Sequence, residues 1–284
     1  MPQRDSIGNT IAVALALCIV CSFCVSAAAV ALKDRQERNQ KLDRQRNILE
    51  ATGIAYNETG EPASELSAEQ VEELFQRFEV RLVNLENVEY VEDIDEATYD
   101  AVKAARDRQM SVPVGDVEYS PGVDRREKIK RVYFVRDAAG DVQQVVLPVY
   151  GKGLWSTMYG YLALRRDLQT IQGLVFYEHG ETPGLGGEVD NPAWRAQWQG
   201  LKMYNNAGEP IAGVAKGPAP EDNEYLVDGL SGATITCRGV TNLVRYWMGD
   251  NAYGPFLDKL SQEFEQGTAL ASTDVVTEGL HGQE

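Results

Sequence analysis

Three hydroxyls set among small residues are the first candidates for chemistry. They lie in Asp228-Gly229-Leu230-Ser231-Gly232-Ala233-Thr234-Ile235-Thr236, just ahead of a run with helical periodicity. Gly229 and Gly232 permit a tight backbone, and Ser231 or Thr234 could cap the helix that follows. Hydroxyls beside free backbone N–H groups at a helix start also favour a phosphate group. The residues alone leave both readings open, a plain helix cap and a phosphate site. The segment holds neither Gly-x-Gly-x-x-Gly nor Gly-Lys-Ser/Thr, so it is neither a dinucleotide fingerprint nor a P-loop.

The second candidate is the loop His179-Gly180-Glu181-Thr182-Pro183-Gly184-Leu185-Gly186-Gly187. Its glycines and proline constrain the turn and let a ligand approach the backbone closely. Glu181 and Thr182 could present polar groups to that ligand; the alternative is an elaborate turn with His179 at the surface. The chain has only two histidines, His179 and His281, so a multi-histidine metal site is excluded, and no metal is expected. Of the four cysteines, Cys18, Cys21 and Cys24 share an apolar stretch and Cys237 stands apart, which excludes a disulfide-stapled domain. The three clustered cysteines read as small apolar helix residues.

These loops need a scaffold, and the composition allows one. The 284 residues are 43% hydrophobic and 25% charged, which excludes a mostly disordered chain and a polytopic membrane protein. The net charge of −16 argues against a nucleic-acid partner. From Val132 the pattern is that of a sheet. Val132-Tyr133-Phe134-Val135, the turn Asp137 to Asp141 and the Val-rich run to Tyr150 predict a hairpin. Tyr159 to Leu164, Ile171 to Tyr177 and Ile211 to Ala215 predict further strands. After Thr236 the period changes, with Val240, Leu243, Val244, Trp247 and Met248 on one helical face. Nearer the amino terminus, Gly53 to Pro62 reads as a loop. Ser67-Ala68-Glu69-Gln70 reads as a capping box that opens an amphipathic helix carrying Val71, Leu74, Phe75, Phe78 and Leu82.

Residues 6 to 32 carry no charge, and Ile11 to Leu32 spans roughly 33 Å as a helix, enough to cross a bilayer. Small residues at Val25 to Ala29 would also suit a cleaved signal peptide, but the apolar run outlasts them and continues without Gly or Pro to Gly53. An uncleaved anchor follows. Lys33, Arg35, Arg38, Lys41, Arg44 and Arg46 after the span would by local counting hold the C-terminal side in the cytoplasm. The expected organisation is an N-terminal segment (1–10), a membrane helix (11–32), a helical stalk with the first part of the soluble region (33–130), a ligand-binding domain (131–265) and a mobile tail (266–284). The fold class is α+β, with one transmembrane helix followed by a soluble mixed α/β domain with a largely antiparallel sheet.

Together the two loops carry a resemblance. Asp228-Gly229-Leu230-Ser231-Gly232-Ala233-Thr234 resembles the covalent-flavinylation motif Asp-x-x-Ser/Thr-Gly-Ala-Thr/Ser, and Glu181 to Gly186 resembles the Glu-Thr-Pro-Gly-Leu-Gly loop of FMN-binding domains. The layout is similar to that of the C subunits of bacterial Na⁺-translocating NADH:quinone reductases. The resemblance implies FMN joined to Thr234 by a phosphoester bond, with Asp228, Gly229, Ser231, Gly232 and Ala233 forming the sequence read by a separate flavin transferase. It implies that Trp155 and Leu185 pack on the flavin ring, that Glu181 and Thr182 line its edge and that Lys216 faces the phosphate; Trp155 could equally be ordinary core. It further implies an electron relay without catalysis of its own, partner subunits that bind NADH, ubiquinone and Na⁺, and an inner-membrane location with the soluble domain in the periplasm. Two other readings remain: the G subunit of the related Rnf ferredoxin:NAD⁺ oxidoreductase, and a membrane-anchored protein that binds a ligand without redox chemistry.

Overall fold

A computed structural model describes residues 7–96 and 98–266, so the expected mobile tail lies, but for Gln266, outside the described residues. Contacts divide the chain between Arg46 and Asn47. In the first unit, helix α1 (Ile7–Thr52) runs unbroken from the apolar stretch into the charged one and beyond the division. Its apolar window buries none of its residues, as a helix made for lipid requires, and Cys18, Cys21 and Cys24 are exposed free thiols on it.

The second unit begins at Asn47, within the last turns of α1, and the helix stops at Gly53, whose φ of 68° only glycine adopts without strain. The stretch expected to be a loop forms a short helix α2 (Ile54–Thr59), because Ile54 and Ala55 bury themselves and Gly60, at φ 76°, ends the turn. The capping box is present: the Ser67 N–H donates to Gln70 Oε1 (2.9 Å) and the Gln70 N–H to Ser67 Oγ (3.3 Å). Helix α3 (Ala68–Phe75) is shorter than its spacing predicts, and Phe78 and Leu82 belong instead to strand β1 (Phe78–Asn84). Phe78, Val80 and Leu82 fit a period of two as well as the helical one, and seven-residue pairing of β1 with a later strand decides between them.

The remaining elements are β2 (Glu89–Val91), α4 (Ala101–Arg106), β3 (Ser111–Pro113), β4 (Arg125–Glu127), β5 (Ile129–Arg136), β6 (Val142–Lys152), β7 (Thr157–Arg165) and β8 (Ile171–Glu178). A 3₁₀ turn at Gly186–Asp190, α5 (Pro192–Ala196), β9 (Gly213–Val214), β10 (Leu226–Val227), α6 (Thr234–Met248) and α7 (Gly254–Glu265) complete the unit. One sheet, ordered β2-β1-β5-β6-β7-β8 and antiparallel throughout, forms the scaffold. The predicted hairpin is β5–β6, closed by Gly140 at φ 89° and by the Asp137 carboxylate, which accepts the Ala139 and Asp141 N–H groups. Residue 131 lies inside β5, and β1 and β2 draw residues well before it into the same sheet. The strand expected at Ile211–Ala215 shrinks to β9, paired in parallel with β10.

Helix α6 packs on the sheet through the predicted stripe, with Val240, Leu243, Val244, Trp247 and Met248 buried. Contact is close because β6 offers a glycine: a Cβ on Gly151 would stand 2.7 Å from Leu243 Cβ. The Trp247 indole N–H donates to the Tyr150 carbonyl (2.7 Å). Lys130 and Glu127, both buried, form an ion pair at 2.8 Å; the Tyr150 hydroxyl donates to the free Glu127 oxygen, and the ammonium sits 4.1 Å from the Trp247 ring centroid. This polar knot holds α6 and the β4–β6 region in one register, so the start of α6 has a defined place.

Candidate functional site

The β6–β7 hairpin turns at Gly153-Leu154-Trp155-Ser156, as Lys152 pairs with Thr157. Its tip lies against α6. A Cβ on Gly239 would run into the Lys152 carbonyl and stand 3.2 Å from Gly153 Cα, so only glycine lets hairpin and helix meet. The loop after β8 wraps over the same place. His179 fastens its start, with Nε2 2.7 Å from Asp190 Oδ2 and Nδ1 accepting the Glu181 N–H (3.1 Å). His179 is therefore a loop anchor.

Glu181 joins the three segments. Only 5% exposed, its carboxylate accepts the Trp155 N–H (2.9 Å), the Leu154 N–H (3.2 Å), the Ser156 N–H (3.4 Å) and the Thr236 hydroxyl (2.5 Å). Burial pushes the Glu181 carboxyl up, but the Thr236 hydroxyl and the three N–H groups outweigh it and hold it below the ordinary carboxylate range. The group expected along a ring edge is thus turned into the protein, with both oxygens in use. Thr182, expected beside it, is exposed and accepts the Trp155 indole N–H (3.1 Å).

Helix α6 opens without a side-chain cap. Its N-cap is Ala233, so neither Ser231 nor Thr234 plays the capping part the sequence allowed. Thr234 is instead the first helical residue, and its side chain is exposed. An uncapped first turn leaves N–H groups and the positive end of the helix dipole beside that hydroxyl. Gly232, at φ 71°, brings the turn against the second loop: a Cβ there would meet Leu185 Cδ2 at 3.0 Å. Asp228 fixes the start of the motif. Its carboxylate accepts the Ala219 N–H (2.7 Å) and a Gln197 amide N–H (3.1 Å), and its carbonyl accepts the Trp194 indole N–H (2.8 Å). Gly229 lies against the backbone at Ala215 to Gly217, which seats exposed Lys216 on the neighbouring loop. Cys237 is buried under the turn, its thiol pushed up by burial and its sulfur accepting the Leu230 N–H (3.3 Å).

Trp155, 68% exposed, is not core, and Leu154 (46%), Leu185 (43%) and Ile235 (54%) are exposed with it. Leu185 lies against Gly232 of the turn and Ile235 follows Thr234, so exposed apolar side chains flank the start of α6, as a surface for a flat apolar partner would offer. Sequence reasoning missed Ile235, although a signal was present: it falls off the buried stripe of α6 and adjoins Thr234. It also missed Leu154, and the inward use of Thr236. The helix start suits a phosphate and the exposed apolar side chains suit a flat ring.

These features define a chain with one apolar N-terminal helix that fits a membrane anchor, followed by an FMN-binding domain. The FMN-binding domain family matches residues 153–249, from the hairpin tip to the end of α6, a stretch that holds every candidate residue. The chain is 44% identical over 261 residues to the C subunit of the Na(+)-translocating NADH-quinone reductase of Yersinia pestis, covering 92% of this chain and 95% of that one. It is also 44% identical over 258 residues to the C subunit from Vibrio alginolyticus, covering 91% and 96%. The crystal structure of Shewanella oneidensis NqrC matches with a TM-score of 0.71 at 31% identity, over 80% of this chain and 99% of that one. The chain belongs to this NqrC family, the C subunits of the Na(+)-translocating NADH-quinone reductase, which are electron-transfer proteins built on an FMN-binding domain.

Proposed function

We propose that this chain relays electrons through one FMN, held by a phosphoester on Thr234 Oγ1. The observation that carries the reading is an exposed threonine at the first residue of an uncapped helix, followed by exposed Ile235 and preceded by a turn whose Gly232 lies against exposed Leu185. A separate flavin transferase, using Mg²⁺, takes the FMN from FAD: the Thr234 oxygen bonds to the FMN phosphorus, the pyrophosphate bond breaks, and AMP leaves with the hydroxyl proton. Bound there, the flavin supplies the redox chemistry. The chain supplies the anchor, the apolar cover and the electrostatic field. The flavin held there would take single electrons from an iron–sulfur centre elsewhere in the complex and pass them to another flavin in a neighbouring subunit. The test is the intact mass of the chain produced with and without the transferase. One FMN phosphoester is expected only with the enzyme; equal masses would count against a covalent flavin.

The membrane helix at 11–32 anchors the chain in the inner membrane, and the soluble domain faces the periplasm. The basic stalk argues the other way, but large domains are translocated largely regardless of charge. Protease added to intact spheroplasts should digest residues beyond the anchor. Full protection there, with digestion in inside-out vesicles, would reverse the orientation.

A further inference from the structure

Glu181 is a buried carboxylate at the junction of the three segments that carry the candidate residues. Among the described residues all four donors to its carboxylate are neutral: three backbone N–H groups and one hydroxyl. They stabilise the charge but do not cancel it. The place for that charge is built by two glycines. A Cβ on Gly153 would stand 2.5 Å from Oε1, and one on Gly186 would stand 2.8 Å from Oε2. The carboxylate bonds on one side to the hydroxyl of Thr236, two residues beyond Thr234, and on the other to the backbone of Trp155. It therefore ties the first turn of α6, which carries Thr234, to the hairpin tip, which carries Trp155.

We propose that Glu181 is a positioning residue whose buried, uncompensated negative charge holds the reduction potential of the Thr234-linked flavin low. The proposal rests on the reading of Thr234 given above. Reduction adds an electron to the flavin, and a fixed anion in a partly desolvated site opposes added negative charge more strongly than it would in water. With both oxygens held by the protein, Glu181 would act through Trp155, whose backbone it holds, and through the field of its charge. His179 at its own N–H, Asp190 beyond that, and Asp228 and Lys216 on the motif side contribute the same background in any variant at Glu181 or Thr236.

Two substitutions separate charge from scaffolding. Glu181→Gln keeps the size of the side chain and removes the charge. Thr236→Val keeps the charge and removes its strongest side-chain donor. The full-length flavinylated chain and both variants are titrated with dithionite, which donates the electrons the flavin accepts, at pH 8 with visible absorbance as the readout. Glu181→Gln is expected to move the midpoint to a less negative potential. Thr236→Val is expected to move it to a more negative one, because the carboxylate loses a donor and acts with less screening. Shifts of the same sign would show that loosening of the hairpin, not charge, sets the potential, and would overturn the proposal, as would no shift in either. Should Glu181→Gln escape flavinylation, Thr236→Val decides alone, and a zero or positive shift in it overturns the proposal. Failure of the attachment reading is seen separately, in the masses of the native chain and of Thr234→Val before any titration.

Discussion

Thr234→Val is expected to leave the chain folded and wholly without covalent flavin. Valine matches threonine in shape but lacks the oxygen that a phosphoester requires. The position is exposed and at the first residue of α6, so the cost to stability should stay within about 0.5 kcal/mol. The neighbouring hydroxyls make the test specific. Thr236 is buried, with its hydroxyl committed to Glu181, so Thr236→Val should leave attachment largely intact. Ser231 is exposed, but in the turn ahead of the helix, and Ser231→Ala should weaken modification at most. Asp228→Ala should reduce modification without removing the attachment atom. Its carboxylate ties the motif to Ala219 and Gln197, so the variant loosens the shape of the segment together with the sequence the transferase reads. The measurement is the mass of the tryptic peptide containing residues 228–238 and its fluorescence after denaturation. A Thr234→Val chain that still carries covalent flavin would end this assignment.

What could be read from the sequence was local. The capping box at Ser67, the β5–β6 hairpin, the stripe on α6 and the two glycine loops are each specified by residues within a few positions of one another. What could not be read depended on distant partners. Phe78 and Leu82 satisfied two periods at once, and only pairing with β5 settled them. The strand at Ile211 to Ala215 was legible, but its partner β10 carries no strand pattern of its own, and only the pairing of Gly213 with Leu226 and Val214 with Val227 sets the length of both. The same holds in the site. Glu181 was visible as a polar residue in a ligand loop, but its inward direction follows from N–H groups on a hairpin more than twenty residues earlier in the chain. Exposure of Trp155 likewise follows from where the hairpin ends, so the sequence left core and rim open.

Gly239→Ala is expected to destabilise the domain and disassemble the site together, although the same exchange in an exposed helix adds about 1 kcal/mol of stability. Gly239 sits in α6 where the helix meets the hairpin tip. A Cβ there would collide with the Lys152 carbonyl and stand 3.2 Å from Gly153 Cα, and both neighbours are backbone that cannot rotate away. The helix and the hairpin must separate, an overpacking cost of about 1–3 kcal/mol that reverses the helix-propensity gain. In a domain of this size that lowers the melting temperature by roughly 2–4 °C per kcal/mol. Separation would also lengthen the bonds from Leu154, Trp155 and Ser156 to Glu181, because Glu181 is tied to α6 through Thr236. Trp155 should then lose its fixed place, and its fluorescence should shift toward that of free indole before global unfolding begins. Arg238→Ala, one residue earlier on an exposed face of the same helix, provides the control and should change neither readout. Equal stability of Gly239→Ala and the native chain in urea, with Trp155 emission unchanged, would show that the hairpin does not rest on α6 and would remove the physical basis for placing Trp155 beside Thr234.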